Sequence, residues 1–135
     1  MNQARAYEHV EALGKVLEGR EGAFLHWDLA GDQEVRIDKF RFPKGWSPRR
    51  ADILFDLPDD YPQNQPTVYI QGDLRWEGDR PHTMYPPKQH GHEERFARYC
   101  IHELSWNPRE DDLVSLLDTL EVSLQDPSAR RAVED

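Results

Sequence analysis

One cysteine, Cys100, stands among 135 residues. A lone thiol allows no internal disulfide, so a reducing cytoplasm is the expected compartment. No apolar run approaches the roughly 18–20 residues that span a bilayer, and the N-terminus lacks the apolar centre of a signal peptide. Lysine is scarce as well: Lys15, Lys39, Lys44 and Lys88 are four of 17 basic residues, against 26 acidic ones. The net charge of −9 excludes general affinity for nucleic acid, which rests on neutralising phosphates, and favours basic partner surfaces. A chain this long buries roughly two thirds of its unfolded surface in one core, so a single domain over 1–135 is expected.

What is present reads as helix, strands, an irregular stretch and a second helix. From Gln3 to Glu18, Tyr7, Val10, Leu13, Val16 and Leu17 recur at helical spacing, and Gly19 and Gly22 bracket the end. Four strands follow, over Ala23–Leu29, Val35–Phe42, Ala51–Leu57 and Thr67–Ile70. Ile37 and Phe40 fall in opposite phases of the second strand, which predicts a bulge between them. Hairpin spacing after a helix predicts an α+β domain with an antiparallel meander. Trp27, Trp46 and Trp76 read as core or loop-anchoring aromatics, and His9 and His26 as surface or packing residues.

From Gln71 to Tyr99 the alternation fails among prolines, glycines and histidines, and a run of this kind more often serves function than filling. Order returns at Trp106. Asn107 reads as an N-cap, Pro108 as the first helical residue and Glu110 as the capping-box partner. Leu113, Leu116, Leu117, Leu120 and Leu124 then form one stripe. Residues 128–135 read as a polar tail that frays.

Three chemistries compete for Cys100. A nucleophile needs a partly exposed thiol that reaches the thiolate, and Arg95, Arg98 and nearby histidines would favour it. A zinc site is the second: His82, His90, His92, Cys100 and His102 fall within 21 positions, though at no standard finger spacing. An inert, packed cysteine is the third.

Two motifs and the order of elements resemble the ubiquitin-conjugating (UBC-like) family. Leu57-Pro58-Asp59-Asp60-Tyr61-Pro62-Gln63-Asn64-Gln65-Pro66 resembles its Phe-Pro-x-x-Tyr-Pro-x-x-Pro-Pro bend. Cys100-Ile101 followed by Trp106-Asn107-Pro108 resembles its Cys-Leu segment and Trp-Ser-Pro turn. The resemblance covers about residues 3–127 and is of a divergent prokaryotic type, with the usual last two helices absent. It implies a UBC-like fold: N-terminal helix, four-stranded meander, long active-site loop, C-terminal helix. It also implies a transferase holding a ubiquitin-like modifier as a thioester on Cys100, with no metal or other cofactor.

The chain departs from that family at the site itself. The family's His-Pro-Asn, whose Asn steadies the oxyanion, falls by spacing on His90-Gly91-His92. Pro81-His82 is the alternative counterpart, and Cys100-Ile101-His102 looks similar to a Cys-Leu-His segment of bacterial relatives. His90, His92, His82 and His102 are thus candidate catalytic partners of Cys100. The apolar tip that ligases recognise is replaced by Gln63-Asn64. By resemblance, Arg5, Tyr7, Glu8 and Lys15 of the N-terminal helix face an adenylating activating enzyme, and a target protein is the last partner; neither nucleic acid nor membrane is expected. The competing reading is a non-catalytic RWD-type interaction domain, whose Tyr-Pro-x-x-x-Pro is satisfied by Tyr61 to Pro66.

Overall fold

The computed structural model describes residues 1–85, 95–101 and 104–127. Helix α1 spans Gln3–Glu18, with the Asn2 side chain accepting from the Arg5 amide at its start and Gly19 at its end. Its inward stripe is Ala6, Val10, Leu13 and Leu17. Tyr7, expected in that stripe, is 52% exposed. Ala6 takes its place because it lies one residue round the helix, where the small side chain permits close approach.

Strands β1 (Phe24–Asp28), β2 (Glu34–Arg41), β4 (Arg50–Asp56) and β5 (Thr67–Gln71) follow in one antiparallel sheet. Asp28 closes the first turn by accepting from the Gly31 and Asp32 amides. The β2–β4 register shifts between Ile37 and Phe40. Lys39 takes φ 57° there, and its amide donates to Asp52 Oδ1 at 2.9 Å. The extra residue lets Ile37 and Phe40 both reach the core despite their opposite phases.

Among the described residues the sheet has a fifth strand, β7 (Phe96–Arg98), so its order is β1-β2-β4-β5-β7, where the sequence predicts four strands. Strand β7 (Phe96–Arg98) lies inside the stretch expected to be patternless. Three residues are too few to show alternation, and β7 owes its form to the β5 edge, through Tyr69↔Arg98, Ile70↔Ala97 and Gln71↔Phe96. A separate pair joins β3 (Trp46–Ser47) to β6 (Arg75–Trp76). Gly45 permits it: at φ 106°, a Cβ there would lie 2.8 Å from Trp76 Nε1.

Helix α2 spans Leu113–Gln125 and buries Leu113, Leu116, Leu117, Leu120 and Leu124. Its N-cap is Asp112, in a capping box with Ser115, and not Asn107. Asn107 caps a separate turn instead, its carbonyl accepting from the Glu110 and Asp111 amides. The chain is extended at Asp112 before the helix begins. Glu110 therefore plays no part in the helix cap.

The inner faces of the sheet and the stripes of both helices share one apolar core. Trp46 is buried within it and donates its indole N–H to the Leu124 carbonyl at 2.7 Å. Trp27 is 50% exposed, unlike the anchoring aromatic the sequence suggests. Among the described residues no helix is long and apolar enough to cross a membrane. Residues 128–135, expected to fray, lie outside the described residues.

Candidate active site

The proline-rich bend and the Trp-Asn-Pro turn, 44 residues apart at their contact, meet in space. Trp106 Nε1 donates to the Pro62 carbonyl at 2.8 Å, and the Tyr61 and Trp106 rings lie 6.0 Å apart. Helix α1 closes the group from the other side. Asn2 N–H donates to the Tyr61 carbonyl at 3.0 Å, and Arg5 Nη2 to the Pro108 carbonyl at 2.8 Å. His9 Nδ1 lies 2.7 Å from the Tyr61 hydroxyl. Burial pushes the Tyr61 phenol up, and burial lowers His9 from its usual 6.5. Both groups are held neutral, and the imidazole tautomer sets which of the two donates.

This clamp holds the bend that leads into β5, and β5 in turn pairs with the segment that ends at Cys100. The Tyr99 amide donates to the Val68 carbonyl at 2.8 Å, continuing the β5–β7 ladder by one residue. On its other edge the same segment pairs with 83–85. Cys100 N–H donates to the Thr83 carbonyl at 2.7 Å, Tyr85 N–H to the Arg98 carbonyl at 2.9 Å, and Met84 bridges Tyr99. Backbone contacts on both sides thus hold the segment that ends at Cys100.

Cys100 itself is half-buried and lines a recess of about 90 Å³ with Pro66, Thr67, Ile101 and Leu104. Tyr99 and Met84 point into the core, and Cys100 follows on the alternate face. Arg98, two residues back, shares that face; it is exposed, its guanidinium carbon 5.7 Å from the centre of the Tyr85 ring. Arg95 does not serve the thiol as expected. Its guanidinium pairs with Asp52 and covers the Phe96 ring, roughly 15 Å from Cys100 along the strand.

Of the four candidate histidines, His82 is the one the structure describes. It is half-buried in the turn Pro81–Met84, one residue from the backbone partner of Cys100. His90, His92 and His102 lie outside the described residues. So do three of the five groups considered as zinc ligands. Thr83 was not singled out by the sequence: nothing in Pro81-His82-Thr83 marks the hydroxyl, and its place becomes visible only through pairing.

A second surface lies between α1 and β1. Tyr7, Leu25 and Trp27 line a groove of about 520 Å³ edged by Glu11, Lys15 and Glu18. Of the helix residues assigned by resemblance to an activating enzyme, Tyr7, Glu8 and Lys15 are exposed. Arg5 is half-buried and occupied by Pro108.

No curated protein and no solved structure matches the chain. The model of prokaryotic E2 family E matches residues 15–127, which is most of the length. The chain therefore belongs to prokaryotic E2 family E, a divergent UBC-like family, and its role is E2-like conjugation, a transferase role.

Proposed function

We propose that this chain, folded as one domain, carries a ubiquitin-like modifier as a thioester on Cys100 and passes it to an amine of a target protein. The observation that supports this most is the placement of Cys100: half-buried beside a recess, at the end of a segment paired on both edges, in a member of an E2 family. The Cys100 sulfur attacks the carbonyl carbon of the modifier's C-terminus, which arrives as a thioester of the activating enzyme. A new C–S bond forms, the old one breaks, and the departing thiol takes the proton. The target amine then attacks the same carbon; a C–N bond forms, and the Cys100 sulfur leaves with a proton from the amine.

The oxygen that gains charge in each step needs a donor, and His90 or His92 supplies it where the family uses an Asn. His82 and His102 flank the thiol in sequence or pairing and serve as proton carriers. The α1 face, with Tyr7, Glu8 and Lys15, receives the adenylating activating enzyme. The domain itself uses no cofactor, binds neither nucleic acid nor membrane, and works in the cytoplasm.

The test is a charging assay with activating enzyme, modifier and ATP, read on gels with and without reductant. A thiol-sensitive adduct in the wild type that is absent in Cys100→Ala establishes the reading. No adduct, with the activating enzyme shown to charge itself, overturns it in favour of an interaction domain.

A further inference from the structure

Thr83 is the one buried polar residue of its kind among those described: it is 2% exposed, and its hydroxyl has no hydrogen-bond partner. Burying an unpaired hydroxyl costs stability, so such a group calls for an explanation. Its neighbour supplies one. The turn Pro81–Met84, closed by Met84 N–H on the Pro81 carbonyl at 3.0 Å, sets Thr83 beside Cys100.

Met84 and Tyr99 form an antiparallel bridge. On one flank of it Tyr85 opposes Arg98, and those side chains meet. On the other flank Thr83 opposes Cys100, its carbonyl 2.7 Å from the Cys100 amide. Residues opposed across an antiparallel pair stand about 4.5–5.5 Å apart at Cα and turn their side chains to the same face.

We infer that Thr83 is a positioning residue for Cys100, its hydroxyl donating a hydrogen bond to the sulfur when the sulfur carries negative charge. A neutral thiol is a weak acceptor and an ionised one a strong acceptor, so the donor stays unpartnered at rest. The proton remains on the Thr83 oxygen throughout, and no covalent bond changes there. The inference rests on Cys100 being the reacting thiol, and it says what steadies that thiol.

The experiment is the alkylation rate of the full chain with iodoacetamide at neutral pH, beside the melting temperature. Cys100 is the only thiol, and neither activating enzyme nor modifier is needed, so a chain that never accepts a modifier still gives a reading. Thr83→Val keeps the volume and removes the hydroxyl. It is expected to slow alkylation about tenfold while raising Tm by roughly 2–4 °C, because an unpaired buried group is lost. Thr83→Ser restores the hydroxyl without the methyl and is expected to stay within about twofold of the wild type. A packing role gives the reverse order. Wild-type reactivity in Thr83→Val, or a loss in Thr83→Ser as deep as in Thr83→Val, overturns the inference.

Discussion

Trp106 donates its indole N–H to the carbonyl of Pro62 at 2.8 Å, and this contact ties together the two segments most characteristic of the chain. The bend carrying Pro62 leads into β5, and the segment ending in Cys100 is paired to β5. The segment bearing the thiol is therefore paired to a strand whose leading bend Trp106 and α1 hold in place. Pro62 is buried, so removing the donor leaves its carbonyl short of a partner. Trp106→Phe, which keeps an aromatic ring, is expected to cost about 1–2 kcal/mol. The midpoint of urea unfolding measures it. Trp27→Phe, on a half-exposed ring, is the comparison and should stay within about 0.5 kcal/mol.

The His9–Tyr61 pair gives the fold a share of acid sensitivity. Burial lowers His9 from 6.5 in the folded chain, so below that pH the unfolded state binds more protons at this site. Stability from this group is complete above 6.5 and is lost as pH falls through it toward the lower folded value. His9→Gln removes the titration. The expected outcome is a smaller drop in Tm for His9→Gln than for the wild type between about pH 7.5 and pH 5. An equal drop in both places the sensitivity elsewhere.

The entry to α2 separates two caps that the sequence makes look alike. Asp112 accepts from the Ser115 amide at 2.8 Å, and Ser115 Oγ accepts from the Asp112 amide at 2.9 Å. Asp112→Ala is expected to cost about 0.5–2 kcal/mol, the usual loss for an N-cap. Glu110 is exposed in the preceding turn, and Glu110→Ala should change stability by less than about 0.5 kcal/mol. Helicity and urea midpoints of the two variants decide between the caps; the opposite ranking would put the helix start at Asn107.

What could be read in advance follows from how local each cause is. Five leucines at spacings of three and four define α2, and the alternation through Ile53 and Phe55 defines β4, because periodicity needs no partner to be seen. The bulge near Lys39 was legible for the same reason, as a change of phase between Ile37 and Phe40. Strand β7 was not, since Phe96–Arg98 is a strand only because β5 offers an edge to it. Nor was the place of Tyr7, for Ala6 and Tyr7 are adjacent on the helix and only the tertiary contact chooses between them. At the site, Cys100 stands out by its motif, whereas Thr83 is told apart by burial and a missing partner. Those are properties of the folded chain.

The exposed aromatics of α1 and β1 bear on how the chain is charged. Tyr7 is 52% and Trp27 50% exposed, on a groove edged by Lys15 and two glutamates. A ring left half in water contributes little to folding, so Tyr7→Ala and Trp27→Ala should each lower stability by no more than about 1 kcal/mol. Aromatic residues at a protein interface, by contrast, commonly carry 2 kcal/mol or more of the binding energy, about thirtyfold. If α1 receives the activating enzyme as proposed, Tyr7→Ala slows thioester formation on Cys100 by at least about tenfold at limiting activating enzyme. Raising that enzyme restores the rate, because the loss is one of binding. Alkylation of Cys100 by iodoacetamide stays at the wild-type rate, since Tyr7 does not line its recess. Unchanged charging in both variants would move the docking surface off this face of the helix.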